Sequence, residues 1–433
     1  MNDGNAHTMM RRVINIFGNA VLLIMSLIVG SVLFEIGMRL TGHATVQASR
    51  AVLAPQFYYE ADPVNGYDIA KNFSGGFFIL PDYVRAYGAP FGVSSNDLGC
   101  RDRPFDRGAD YVLLLGDSFT WGYVELEQTW GTTLEQLIGM RVLKCGVGGY
   151  GTHQERNKLK AIVAQAGKPR LVVVGHTAHD LMDDYIYPGR TVVDGYLVPT
   201  IRFVDEKRGD LKAYSEEEIH EKMRASLEKG SSVKDFLADH SVVYDRLRSA
   251  EGLRQIIARY GLAEAPSLGD PGIFHSIAEY PWLDKAWKEH LANLQQMKSE
   301  VEAAGATLVV ALIPERAEVY ESLRPPGRDV HWEYPHQRLT EFLQQKDIAY
   351  VDLLSDFRRY AHCKGSSKSD TQDDLYWAHD GHLNVKGNRL AGLHISREVL
   401  QQSIMKSADS TRRLSNVDQL LKEEERCPSG SSI

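Results

Sequence analysis

The sequence predicts an α/β protein, a doubly wound, flavodoxin-like five-stranded parallel sheet with helices on both faces, and three observations predict it. First, five short apolar runs recur without polar alternation: YVLLLG at 111–116, RVLKC at 141–145, RLVVVG at 170–175, ATLVVALIP at 306–314 and IAYVDLL at 348–354. Runs of this kind suit strands buried on both faces of a parallel sheet. Second, helical periodicity lies between them. Trp130, Leu134, Leu137 and Ile138 recur at helical spacing, as do Leu159, Ile162, Val163 and Ala166, and then Trp287, Leu291, Leu294 and Val301, with Gly305 placed to end the last helix. Third, strand and helix alternate along the chain, the order that winds helices over both faces of one sheet.

Ahead of this pattern, Val13–Phe34 is a run of 22 residues without a charge. At about 1.5 Å rise per residue it matches a hydrocarbon core of roughly 30 Å. Arg11 and Arg12 precede it, and Glu35 and Arg39 follow. The positive-inside rule then places the N-terminus in the cytoplasm and the bulk of the chain on the periplasmic or extracytoplasmic side of an inner membrane. A cleaved signal peptide is the competing reading, but its apolar region spans only about 7–15 residues and ends at small residues, so an uncleaved single-pass anchor is expected. Residues 1–42 are assigned to the cytoplasmic N-terminus and anchor. Residues 43–106, rich in Gly, Pro and aromatics, are assigned to an irregular or β extension.

The α/β unit is expected over 107–184 and 284–404. Between its halves, 185–283 reads as a helical insertion over the active edge of the sheet. Ser215 and Glu218 form a possible capping box there, and Phe236, Leu237, Leu247, Leu253 and Ile256 supply apolar positions for further helices. The tail, 405–433, has few apolar residues and is expected to be disordered.

Composition narrows the function. An apolar fraction of 43% and a charged fraction of 24% are those of a globular protein, and a net charge of −8 without a Lys/Arg cluster argues against a nucleic-acid partner. Cys100, Cys145, Cys363 and Cys427 form no CxxC pair, which argues against a zinc ribbon or a thioredoxin-type site. Export permits a disulfide among them without saying which; Cys145, ending an apolar run, reads as a plain core residue.

In an open parallel sheet the reacting groups collect beyond the carboxyl ends of the strands. After the first strand comes Gly116-Asp117-Ser118-Phe119-Thr120-Trp121-Gly122. A serine at a strand-to-helix turn exposes its hydroxyl and points its N–H into the same site, as nucleophilic attack with oxyanion stabilisation requires. The alternative is that Ser118 merely caps the next helix. The second strand ends in Cys145-Gly146-Val147-Gly148-Gly149-Tyr150-Gly151, whose glycines let backbone N–H groups approach a ligand or simply pack tightly; the spacing fits neither a dinucleotide fingerprint nor a P-loop. The third ends in Gly175-His176-Thr177-Ala178-His179-Asp180, and His379-Asp380-Gly381-His382-Leu383-Asn384 lies near the C-terminus. A serine nucleophile needs a histidine base oriented by a carboxylate, and Asp380 with His382 can supply both.

These blocks, GDSFTWG, GVGGYGTHQE, the HD after the third strand and DGHLN before the last helix, resemble in kind and order those of the SGNH/GDSL hydrolase family. The upstream SSNDLGCRDRPF resembles the N-x-x-G-x-R-D segment of a membrane-anchored branch related to polysaccharide O-acetyltransferases. The resemblance covers roughly 90–180 and 284–400. It implies that Ser118 is the nucleophile, His382 the general base and Asp380 its orienting partner, with the Ser118 and Gly149 N–H groups in the oxyanion hole. The D-x-H spacing in place of the family's commoner D-x-x-H is shared with the O-acetyltransferase relatives. In one position the chain departs: where the family has an Asn as third oxyanion donor stands His179. An imidazole N–H also donates, but its reach and titration differ from an amide's, and losing one such donor costs about 2.7–4 kcal/mol of transition-state stabilisation.

The implied function is a serine-dependent ester hydrolase acting on an O-acyl ester of an envelope or exported glycan or lipid. An O-acyltransferase to a polysaccharide and a non-catalytic glycan-binding envelope protein are the rivals. No cofactor and no metal are implied. The pairs His176/His179 and His379/His382 invite a metal reading, but zinc on a helix prefers i, i+4 histidines and both pairs fall in turns explained otherwise. Trp121 and Tyr150 either line an acyl or sugar pocket or pack at the rim of the sheet.

Overall fold

The computed structural model describes residues 3–40, 54–227, 233–244, 272–324, 330–364, 374–378, 380–402, 405 and 408–426. The chain forms two compact units, residues 1–51 with 228–266, and residues 52–227 with 267–433.

In the smaller unit, α1 (Asp3–Leu40) contains a stretch, Val21–Leu40, long and apolar enough to cross a membrane, as an anchor or a signal sequence is. The Glu35 carboxylate closes the start of the segment after α8 (Val233–His240), accepting from the Ser241 hydroxyl at 2.9 Å and from the Val242 and Val243 N–H groups at 2.9 and 3.0 Å. Phe236 and Leu237 of α8 are exposed; Leu247, Leu253 and Ile256, expected in further helices, lie outside the described residues.

The larger unit opens with two antiparallel hairpins, β1 (Tyr59–Asp62) with β2 (Gly66–Ile69) and β3 (Gly76–Phe78) with β4 (Phe91–Val93), the second pair enclosing α2 (Pro81–Tyr87). The central sheet follows: β5 (Tyr111–Gly116), β6 (Arg141–Lys144), β7 (Leu171–His176), then, after the insertion, β12 (Thr307–Leu312) and β13 (Ala349–Asp352). All neighbours are parallel and the spatial order is β13-β12-β7-β5-β6, the doubly wound order expected. The strands read as continuous apolar runs because alternate residues enter opposite cores. Leu113, Leu115, Val172 and Val174 pack against α5 (Thr152–Ala166), α9 (Trp282–Ala303) and α11 (Tyr334–Gln345). Val112, Leu114, Leu171 and Val173 pack against α4 (Trp130–Ile138), α12 (Leu354–Cys363) and α13 (Val385–Gln401). Three short helices, α3 (Ser118–Trp121), α6 (Asp180–Tyr185) and α10 (Arg316–Val319), begin just past strands β5, β7 and β12.

Three expectations need correction. The tail is ordered over α14 (Ala408–Glu424), which buries Val417 and Leu421 in the α4/α13 core; one apolar stripe suffices because the receiving surface is preformed. The insertion is not wholly helical: before α7 (Glu216–Leu227) it forms two hairpins, β8 (Arg190–Val193) with β9 (Tyr196–Pro199), and β10 (Ile201–Asp205) with β11 (Asp210–Ala213). The Ser215/Glu218 capping box at the start of α7 is present, the two residues exchanging N–H···O bonds at 2.8 and 3.2 Å. Finally, Cys145 is no plain core residue but is disulfide-bonded to Cys100, tying the end of β6 to the N-terminal extension. Cys363 is also disulfide-bonded, and Cys427 lies outside the described residues.

Candidate active site

The turn at Ser118 follows from local sequence. Gly116 has φ +144, and a Cβ there would collide with the Gly175 carbonyl and Thr120, so only glycine lets β5 turn into α3. The helix cap is Asp117, whose Oδ1 accepts the Phe119 N–H at 2.8 Å and whose Oδ2 accepts the Thr177 hydroxyl at 3.0 Å. With capping assigned to Asp117, the Ser118 hydroxyl is left for another partner.

That partner is His382. Its Nε2 lies 2.8 Å from Ser118 Oγ and its Nδ1 2.6 Å from Asp380 Oδ1. Since a carboxylate can only accept, Nδ1 carries the proton and Nε2 is free to accept from the serine. The loop that presents this pair is fixed at both ends. The Asp380 N–H donates to Asp82 of α2 at 3.2 Å, the Trp377 N–H donates to the His382 carbonyl at 2.8 Å, and Asn384 caps α13 through the Gly387 N–H at 3.0 Å. Gly381 between Asp380 and His382 sits at φ +88, which permits so tight a turn. His379 lies outside the described residues.

The glycine-rich turn after β6 faces the same edge. A Cβ at Gly148 would stand 3.7 Å from Ser118 Cβ. Among the described residues, neither the Ser118 nor the Gly149 N–H donates to a protein acceptor, so both remain available to an oxyanion. His179 follows β7 by three residues. Its Nδ1 lies 3.1 Å from Glu315 Oε1, and its side chain is 46% exposed. The surrounding protein desolvates the ring and so favours its neutral form, but the Glu315 carboxylate outweighs this and pushes the pKa up to about 9.

His176 does not converge with His179. It is buried, with Nε2 2.9 Å from His290 Nε2, while His290 Nδ1 meets Asp184 at 2.9 Å; burial, then the charge of His290, hold His176 well below its ordinary value. Beneath the site lies a layer of buried carboxyls. Burial drives Asp117, Glu155 and Asp180 upward, and both Glu155 oxygens lack a hydrogen-bond partner among the described residues, a condition that favours the protonated form. Trp121 and Tyr150 turn out to be packing residues, buried among the aromatics of the extension; the Trp121 Nε1–H donates to Tyr58 Oη at 2.8 Å.

The N-x-x-G-x-R-D segment braces the turn after Ser118. Asn96 Oδ1 accepts the Leu98 and Cys100 N–H groups at 3.0 and 3.1 Å, and Gly99 sits at φ +68. The buried Arg101 donates to the carbonyls of Trp121, Gly122 and Val124 at 2.9, 2.5 and 2.6 Å, and Asp102 accepts the Lys144 N–H at 3.0 Å.

Three residues near the site had gone unread. Tyr123 stacks on His382 with centroids 3.9 Å apart. Glu315 meets His179. Arg190, at the start of β8, lays its guanidinium against Gly149. A turn signal, Asp194-Gly195 between β8 and β9, marks the hairpin that carries Arg190, but nothing local marks its contact with Gly149.

Residues 275–423 match the family model described as the SGNH hydrolase-like domain of the acetyltransferase AlgX. No curated protein matches the chain. Similar solved structures include a catalytic mutant of the acetylxylan esterase Axe2 from Geobacillus stearothermophilus, at 13% identity over 70% of this chain and 99% of that one, TM-score 0.35. Another is a lipolytic protein of the G-D-S-L family from Desulfitobacterium hafniense, at 13% identity over 66% and 98%, TM-score 0.33. Likenesses this loose carry no argument. The matched region takes in Asp380, His382 and the helices α9 to α14 but not Ser118, Gly149 or His179, and it is this region of the chain that is similar to an SGNH hydrolase-like domain.

Proposed function

We propose that this chain transfers acyl groups through a covalent intermediate on Ser118. His382 Nε2 takes the serine proton as Ser118 Oγ bonds to an ester carbonyl carbon. The tetrahedral oxyanion is held by the Ser118 and Gly149 N–H groups and by His179. Its collapse breaks the C–O bond, and His382 returns the proton to the departing alcohol. Water, deprotonated by the same imidazole, then releases the acid, giving an esterase. The observation that carries the reading is the unbroken chain Ser118 Oγ–His382 Nε2, 2.8 Å, and His382 Nδ1–Asp380 Oδ1, 2.6 Å. A pure glycan-binding protein has no use for it.

The substrate in this reading is an O-acyl ester of an envelope or exported glycan or lipid, met on the extracytoplasmic side of the inner membrane by a domain that α1 anchors. A second reading, transfer to a polysaccharide hydroxyl in place of water, is favoured by the D-x-H spacing and by the acetyltransferase named in the matching family model.

The test is labelling with a fluorophosphonate followed by mass mapping. Ser118 is expected to be the modified residue, with no labelling in Ser118→Ala; a folded wild-type protein that stays unlabelled sinks the proposal. Release of acetate from an acetyl donor, followed with and without a glycan acceptor, separates the outcomes. Acceptor-dependent acetylation of the glycan marks a transferase, and release unchanged by acceptor marks an esterase.

A further inference from the structure

The ion pair between His179 and Glu315 has a definite origin in the sheet. In the β7/β12 ladder His176 is paired with Leu312, and each chain runs three more residues to reach His179 and Glu315, so equal offsets bring the two side chains together beyond the carboxyl edge. Glu315 is held there from behind. Its N–H donates to Glu318 Oε2 at 2.6 Å, and Glu318 is fixed between His275 at 3.3 Å and His336 at 3.4 Å. Glu315 Oε1 is buried, and the group that faces it is His179 Nδ1 at 3.1 Å. A buried carboxylate oxygen left without a partner is costly, and among the described residues His179 is placed to balance it. On the other side of the ring, Nε2 has no protein partner among the described residues.

We infer that Glu315 is a positioning residue that holds His179 as an imidazolium with its Nε2–H turned to the oxyanion, so that a charged donor stands where relatives place a neutral amide. The inference rests on the acyl-transfer reading above. A charge-assisted hydrogen bond is roughly twice as strong as a neutral one, and a donor already oriented needs no rearrangement when the oxyanion forms in the transition state. The groups facing the ring are Glu315 beyond β12, Asp183 on α6 and Asp117 at the end of β5, all carboxyls, with Phe274 edge-on at 5.3 Å. Asp183, pushed up to about 6 by burial, is a weak counter-charge, so Glu315 dominates. With the His179 pKa near 9, the charged donor is present at neutral pH and lost as pH rises through that value.

The experiment titrates the His179 ring by NMR in the full chain in detergent micelles, beside the pH profile of 4-nitrophenyl acetate hydrolysis. In the wild type His179 is expected to titrate near 9, and kcat to fall across the same range. In Glu315→Gln the ring pKa and the alkaline limb of kcat should both move down by one unit or more, with KM unchanged because the oxyanion exists only in the transition state. His179→Ala should lower kcat by about 10²–10³, and adding Glu315→Gln to it should change nothing further. A wild-type His179 that titrates at or below 6.5, or a pKa and limb that Glu315→Gln does not move, overturns the inference. Failure of the acyl-transfer reading looks different: no fluorophosphonate label on Ser118 while His179 still titrates near 9 and still responds to Glu315→Gln removes the oxyanion role and leaves the ion pair.

Discussion

The Tyr123 ring lies flat on the His382 imidazole, with centroids 3.9 Å apart and planes 21° from parallel, while the Trp377 indole N–H donates to the Tyr123 carbonyl at 3.1 Å. Tyr123 comes from the turn after Ser118 and His382 from a loop 264 residues from Ser118, so this stack joins the two halves of the candidate site. Tyr123→Phe keeps the stack and is expected to keep activity. Tyr123→Ala frees the imidazole to rotate, and an aromatic pair worth about 0.5–1.5 kcal/mol converts to a loss of up to roughly tenfold in kcat/KM. Hydrolysis of 4-nitrophenyl acetate measures it, and equal activity in both variants would dismiss the stack as incidental.

Gly149 is expected to tolerate no side chain. It sits at φ +77, and a Cβ would meet the Arg190 guanidinium head-on. An alanine in this left-handed conformation costs about 1–2 kcal/mol before the clash is counted. Gly149→Ala should therefore lower the melting temperature and slow fluorophosphonate labelling, and adding Arg190→Ala should relieve the clash but not the backbone cost. At Gly148 a Cβ meets only Tyr59 Oη at 3.5 Å and Ser118 Cβ at 3.7 Å, ordinary contacts, so Gly148→Ala should melt as the wild type does.

Stability should depend on pH through the buried pair Glu318 and His336. Burial opposes the charge on each, yet the His336 imidazolium holds Glu318 well below its ordinary 4.5, and Glu318 with Asp352 pushes His336 up to about 10 from 6.5. The two signs are opposite. The Glu318 contribution is present above about 4.5 and lost as pH falls below it; that of His336 is complete below about 6.5 and lost as pH rises toward 10. Thermal melts should be flat between these limits as far as this pair is concerned, and His336→Gln should flatten the alkaline decline. A variant whose alkaline decline matches the wild type would refute the assignment.

The central sheet and the site blocks were legible because both are written locally. A strand buried on two faces must be apolar throughout, as YVLLLG and RLVVVG are, and a reactive turn must combine glycine with a hydroxyl, as GDSFTWG does. The ordered tail and the hairpins of the insertion were harder to read. Leu414, Val417 and Leu421 do repeat at helical spacing, but so thin a stripe makes a stable helix only against the α4/α13 surface, which no tail residue announces. The strands of β8 and β9 are half-buried and short, so their polar residues mask the Asp194-Gly195 turn between them.

The sequence by itself determined the strand order along the chain and the apolar N-terminal helix, and it marked the serine turn and the aspartate–histidine pair as two separate local motifs, since each of these is written in residues near one another in the chain. Only the tertiary structure decided the partners. That Cys145 pairs with Cys100, that Arg101 braces the turn after Ser118, that Tyr123 lies on His382, that Arg190 rests on Gly149 and that Glu315 meets His179 are facts of packing between distant segments. Charge and burial at a site follow from such meetings, so the departure of His179 from the block it resembles was visible in the sequence while the carboxylate that accompanies it was not.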